Sequence, residues 1–262
     1  MLNKNYLYIA YLIVLFYKYK FNFMILKEFN TKFYQLIFLF NKMDEQKLFS
    51  VTVAYDVQCP GGKLTSEQRM QIVAQHNNYR SKLANGKERS KDDNFMPSAR
   101  NMLKMIWSCD LERTAQQWAD HCRFQHSTRQ QRNNAGENIY YYQSSEDITN
   151  EAQKAALMAG EAWWSELYEF YYSNPLNDMT MNQFNPKVGH FTQMAWANTH
   201  KIGCGIAPQC SNGHKVIVVC QYKEAGNMIG SKIYEVGQPC KGNSDCATNK
   251  CSIEDGLCVK EE

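Results

Sequence analysis

The sequence predicts an α+β domain, and three observations carry that prediction. Apolar residues recur at helical period in three stretches, near residues 72–83, 111–122 and 145–171. Short strand-like runs stand between and after them: Tyr140-Tyr141-Tyr142 and the four β-branched residues Val216 to Val219. The 10 cysteines, at 59, 109, 122, 204, 210, 220, 240, 246, 251 and 258, are an even set without a C-x-x-C pair. That spacing disfavours a zinc ribbon or redox motif and favours an oxidised, exported chain.

Length allows one large domain or two small ones. The formal charge of +3 is mild, and no stretch interleaves basic and aromatic residues as an RNA-reading sheet does, so no nucleic-acid partner is expected. Residues 1–58 stand apart. Tyr6 to Tyr17 is an apolar block behind Lys4 and ahead of Lys18 and Lys20; its length suits a signal-peptide core and is short for a bilayer span. A second apolar patch, Phe33 to Phe40, precedes Asp44, Glu45 and Lys47, and the nearest cleavage-like triplet is Thr52-Val53-Ala54. The segment reads as a signal peptide, a signal anchor or translated upstream sequence. Membrane contact is expected only through it.

The folded part begins near Cys59-Pro60-Gly61-Gly62. Thr65 and Gln68 stand in capping-box spacing; Ile72, Val73, His76, Tyr79 and Leu83 continue a helix, and Gly86 ends it. Residues 86–101 are polar and basic and read as a surface loop. Met105-Ile106-Trp107 reads as a short buried segment. A second helix carries Leu111, Thr114, Ala115, Trp118 and Cys122, with Asp110 as a candidate cap and Ala115 and Trp118 toward the core. A loop to Asn134 leads into a strand through Gly136-Glu137-Asn138-Ile139 and the three tyrosines. The third helix is expected over 145–171, and 173–187 reads as a loop. Phe191, Met194 and Trp196 then read as a buried strand with His190 before it. Pro208, Ser211, Asn212 and Gly213 mark a turn into the Val216–Val219 strand, completing a hairpin.

Gly189-His190-Phe191-Thr192-Gln193-Met194-Ala195-Trp196, with Asn198-Thr199, resembles the first signature of the CAP superfamily, which spans cysteine-rich secretory proteins, antigen 5 and pathogenesis-related 1. Ile217-Val218-Val219-Cys220-Gln221-Tyr222 followed by Ala225-Gly226-Asn227-Met228 resembles the second. Glu224 departs from it, standing where the family commonly has proline or a small or basic residue. His76-Asn77-Asn78-Tyr79-Arg80, His126-Ser127 ahead of Gly136-Glu137-Asn138, and Trp163-Trp164-Ser165-Glu166 resemble further landmarks. The likeness covers about residues 60–235. The tail, ending Gly256-Leu257-Cys258, resembles the hinge of nematode venom allergen-like and activation-associated secreted proteins.

The resemblance implies a three-layer α-β-α sandwich over 59–235, with a mostly antiparallel sheet, and a cysteine-rich hinge over 236–262. It implies Cys204–Cys220 and Cys122–Cys210, leaves Cys59 with Cys109, and suggests Cys240–Cys251 and Cys246–Cys258. It also gathers His126, Glu137, Glu166 and His190 around one cleft; nothing else in the sequence groups them. Such a set suits a borderline metal such as zinc or general acid–base chemistry, although no cofactor is required. The plainer reading is that each glutamate hydrogen-bonds a histidine and holds helices to the sheet. H-E-x-x-H and G-x-S-x-G motifs are absent, so catalysis is not expected. The implied function is a secreted, non-enzymatic effector that meets extracellular or host proteins and binds a sterol or fatty acid. The alternatives are a metal-assisted hydrolase and a structural protein-binding module. Oligomeric state is left open.

Overall fold

The computed structural model describes residues 57–149, 152–180 and 187–261; the readings made for 1–56 and for 181–186 lie outside these. In order the elements are α1 (Ser66–Ala84), β1 (Ile106–Trp107), α2 (Cys109–Ala119), β2 (Gly136–Gln143), α3 (Ala152–Glu169), α4 (Gly189–Ala195), β3 (Lys201–Cys210), β4 (Lys215–Lys223), and a tail hairpin of β5 (Cys251–Ser252) and β6 (Leu257–Cys258). No described helix is long and apolar enough to cross a membrane.

The main sheet runs β1-β3-β4-β2, antiparallel except for β1 against β3. Alternation along β4 builds the layers. Val216, Val218, Cys220 and Tyr222 enter the large core shared with α1, α3 and α4. Ile217 and Val219 face the other way, against Ala115 and Ala119 of α2. Helices therefore cover both faces of the sheet. The α2 layer lies unusually close to β3 because two strand residues are glycine. A Cβ on Gly203 would sit 2.2 Å from the Glu112 amide nitrogen, and one on Gly205 would sit 2.3 Å from Gln116 Cα. Gln116 uses the closeness, donating from Nε2 to the Ile206 carbonyl and accepting the Ile206 amide.

α1 starts on the Thr65–Gln68 capping box, with both reciprocal bonds formed, and stops at Asn85 before Gly86 at φ +65. Arg69 and Arg80 lie in phase with its buried stripe. Arg69 makes a two-pronged pair with Glu112 at 2.7 and 2.8 Å, and Trp107 Nε1 donates to the same carboxylate. Arg80 donates to the carbonyls of Leu103, Met194, Trp196, Ala197 and Thr199. One guanidinium thus fixes α1 to the end of α4, to the segment that follows it and to the loop before β1.

His76, also on α1, is fully buried. Its Nδ1–H donates to the Ile72 carbonyl and its Nε2 accepts the Tyr222 hydroxyl at 3.1 Å. Burial pulls its pKa down to about 4, against a smaller upward pull from the Ile72 bond. The ring is neutral when folded and protonates near 6.5 when unfolded, so below pH 6.5 the unfolded chain binds the extra proton. Stability is therefore complete above about pH 6.5 and falls as the pH drops toward 4, by roughly 3 kcal/mol in all. Urea unfolding midpoints measured from pH 7 to 4 should show this loss in the native chain and a clearly shallower one in His76→Gln. Equal slopes would remove His76 from the account.

The structure corrects several sequence readings. Gly189–Ala195 is a helix, not a strand, and the hairpin partner of β4 is Lys201–Cys210. Phe191, Thr192, Gln193, Met194 and Ala195 are all buried, so these two turns have no exposed polar face to reveal their period. Ser108, not Asp110, caps α2, accepting the Leu111 amide, and Asp110 pairs with Arg113. Trp118 does face the core layer of Ala115, Ala119, Ile217 and Val219, though it is half-buried and also packs against His121. The third helix is described from Ala152; over 145–148, where helix was expected, the chain is not helical, since Ser144 and Asp147 accept the amides of Glu146 and Thr149 and hold turns there. Within 86–101, Glu88, Ser90, Met96 and Ala99 are buried, so that segment is part of the core wall. Pro208 lies inside β3, at the register shift between Ala207 and Cys210, where a missing N–H is tolerated; the turn is Ser211–His214.

All ten cysteines are paired: Cys59–Cys109, Cys122–Cys210, Cys204–Cys220, Cys240–Cys251 and Cys246–Cys258. The tail is docked as well as stapled. Cys258 exchanges main-chain bonds with Met102 and Lys104, Asp255 pairs with Lys104, and Leu257 is fully buried in the large core.

Candidate functional site

The first half of the site hangs on the loop after α2. Cys122, at φ +56, turns the chain out of the helix and is tied to Cys210 on β3. His126 and Ser127 are thereby carried to Glu137 on β2. Glu137 faces the α2 side, since it is paired directly with Gln221 and its carboxylate accepts the Gln221 Nε2. It also accepts the His126 Nδ1–H at 2.9 Å, the Ser127 amide at 2.9 Å and the Ser127 hydroxyl at 2.6 Å. Burial alone raises the carboxyl pKa; the bonds from His126, Ser127 and Gln221 outweigh it, and the group lies below the ordinary glutamate value. Its contribution to stability is present above that ordinary value and is lost as pH falls through the lower folded one.

The second half joins two helices. Glu166, in the last turn of α3, accepts the amides of His190 and Phe191 at 3.0 and 2.9 Å, and the His190 Nδ1–H at 2.6 Å. A side chain from α3 thus caps the start of α4 and orients its histidine in one stroke. The His190 ring stacks on Trp163, centroids 5.9 Å apart and 18° from parallel.

The four residues therefore form two carboxylate–imidazole pairs. In each, Nδ1 carries the proton and Nε2 has no partner among the described residues. Glu137 accepts four hydrogen bonds and Glu166 three, so both carboxylates are engaged in orienting their histidines. Ser127 donates to Glu137 rather than to a histidine, so it has no base to activate it. A groove of about 660 Å³ runs beside β2, lined by Phe124, Ile139 to Gln143, Ala162, Trp163, Glu166 and His190. His126 and Glu137 are not in that lining. Among the described residues, the group of three or more acidic, histidine or cysteine donors that lie within 4.8 Å of one another is Cys240, Cys246 and Cys258, and those sulfurs are in disulfides. The imidazoles still have the form of metal-ready ligands, because a ligating histidine ordinarily gives its other N–H to a carboxylate.

Residues 73–222 match the profile of the CAP family, described as the cysteine-rich secretory protein family. The chain belongs to that family. It is 38% identical over 204 residues to Ancylostoma secreted protein of Ancylostoma caninum, covering 77% of this chain and 46% of that protein. It is 35% identical over 231 residues to cysteine-rich secretory protein 2 of Homo sapiens, covering 80% and 84%. The chain thus spans about half the length of the Ancylostoma relative, as it does of the Tityus serrulatus cysteine-rich venom protein, at 47%. Among solved structures, BmVAL-1 superposes with a TM-score of 0.77 at 50% identity, covering 79% of this chain and all of that one. NaASP2 with Zn2+ superposes at 0.68 and 38% identity, covering 77% and 100%. The α-β-α sandwich with a disulfide-rich tail is thus the fold of this CAP chain.

Sequence reasoning missed Ser127 and Gln221, whose bonds saturate Glu137. It also missed Asn138, whose Nδ2 donates to the His190 carbonyl at 3.1 Å and, at 3.4 Å, to the Tyr222 hydroxyl. Gln221 lies at an alternate position of an otherwise apolar strand, and a polar residue there signals a partner inside.

Proposed function

We propose that this CAP chain is an extracellular, non-catalytic binding protein whose ligand site is the groove beside β2 with the oriented His190 imidazole in its lining, and that His126, outside that lining, is a second oriented imidazole. The observation that carries the reading is the engagement of both acids, Glu137 accepting four hydrogen bonds and Glu166 three: they orient the histidines, leaving each Nε2 to meet a ligand. Full pairing of the cysteines supports an oxidising compartment, and relatives named as secreted and venom proteins support export. Zinc suits the imidazole donors; His126 and His190 would hold it, and it would supply a positive anchor for a ligand. The solved NaASP2 with Zn2+ supports this. The aromatic wall of Phe124, Tyr140, Tyr142 and Trp163 suits the apolar body of a sterol or fatty acid. Contact with host proteins belongs to the same extracellular reading.

Isothermal titration with zinc chloride tests the imidazoles. His190→Gln should weaken binding about tenfold or more, and Glu166→Gln should do so by a comparable factor through loss of ring orientation. Equal affinities in all three proteins would sink the metal reading. Tryptophan emission during cholesterol and palmitate titrations tests the groove: saturable change is expected, and a linear or absent response would count against it.

A further inference from the structure

The geometry points to the groove beside β2 as a docking site for an extended peptide, which adds to the sheet as a new strand along the outer edge of β2. This rests on the reading of the groove as a binding site and names its partner class.

β2 is the last strand of its sheet, and its hydrogen-bonding phase is fixed twice over. The Ser144 amide donates to the His214 carbonyl, continuing the register in which Gln143 opposes Lys215. In an antiparallel ladder the bonded pairs alternate, so Tyr142, Tyr140 and Asn138 turn their main-chain groups toward β4. Ile139, Tyr141 and Gln143 turn theirs outward. Independently, Trp163 Nε1 reaches the Ile139 carbonyl from outside the sheet at 3.4 Å. That leaves the amides of Ile139, Tyr141 and Gln143 and the carbonyls of Tyr141 and Gln143 without a described partner, all on residues lining the groove.

Natural sheets protect such edges with proline, lysine, a bulge or a short strand. β2 has eight residues, Gly136–Gln143, no proline or lysine, and no register shift against β4; the opposite edge, β1, has two. The occupant follows from the shape. Phe124 flanks the edge on one side, and Ala162, Trp163 and Glu166 of α3 on the other. A single extended chain can enter, bonding to the main chain and placing alternate apolar side chains on the aromatic walls.

The test uses the full chain with acetyl-Thr-Val-Thr-Val-Thr-amide as probe and the same peptide methylated at every amide nitrogen as control. Amide exchange read by NMR should slow about tenfold or more at Ile139, Tyr141 and Gln143 with the probe and not with the control. Tyr141→Pro removes one outward donor but no ladder bond; it should melt near the native temperature and lose probe binding about tenfold or more. Unchanged exchange at the three amides, or equal probe affinity in Tyr141→Pro, would overturn the peptide assignment. If neither the probe nor palmitate nor cholesterol alters Trp163 emission, the groove reading itself falls and takes this one with it.

Discussion

Replacing Arg80 with methionine should leave little folded protein. The guanidinium is wholly buried and gives hydrogen bonds to the carbonyls of Leu103, Met194, Trp196, Ala197 and Thr199. Methionine fills similar volume but donates nothing; the Trp196 and Ala197 carbonyls keep the Thr199 and Leu103 amides, but those of Leu103, Met194 and Thr199 lose the guanidinium, and each carbonyl stranded out of water costs about 1–3 kcal/mol. The sum is comparable to the whole stability of a domain, about 5–15 kcal/mol. Lysine has three donors on one nitrogen and cannot span the same fan of acceptors, so Arg80→Lys should fail nearly as badly. Soluble yield and thermal melting read the outcome. A methionine variant melting within about 5 °C of the native chain, a shift worth roughly 1–2 kcal/mol at this size, would show that water or rearranged bonds replace the guanidinium.

The second large effect is steric. Gly205→Ala puts a methyl 2.3 Å from Gln116 Cα and 2.4 Å from its amide nitrogen. The obstacle is helix backbone, so no side chain can swing away, and α2 must lift off the sheet. Lifting it strains the Gln116–Ile206 bonds and opens the Ala115, Ala119, Ile217 and Val219 layer. Overpacking ordinarily costs about 1–3 kcal/mol, and this case should exceed that range. Gly242→Ala is the matched control: its nearest neighbour is Asp245 Oδ2 at 4.0 Å, and its φ of −153 suits alanine. Urea midpoints should separate the two sharply; similar midpoints would mean the α2 layer is softer than its contacts suggest.

These two positions also show where sequence reading stopped. The capping box at Thr65 and the alternation of β4 are local patterns, and both were legible. Glycines in a strand usually read as weak points; the reason for Gly203 and Gly205 is a helix nearly ninety residues upstream in the case of Gln116. Arg69 and Arg80 do fall in phase with Ile72, His76 and Leu83, a signal that those charges point inward, but their partners are distant carbonyls and Glu112. α4 was misread because a short helix buried all round shows no amphipathic period. The site was legible only through family likeness, since its four residues sit on a loop, a strand and two helices. Even then the set was read as four groups around one cleft, with each glutamate bonded to a histidine as the plainer reading. The side-chain bonds split it into two pairs, with the glutamates behind the histidines.

That split is the centre of the account, and long-range proton–nitrogen NMR of the His126 and His190 rings at pH 7.5 tests it most directly. Both rings should carry their proton on Nδ1, held by Glu137 and Glu166, and added zinc should move both Nε2 signals while the Nδ1 protons stay. A proton on Nε2 in either ring before metal, or Nε2 signals indifferent to zinc in both, would contradict it.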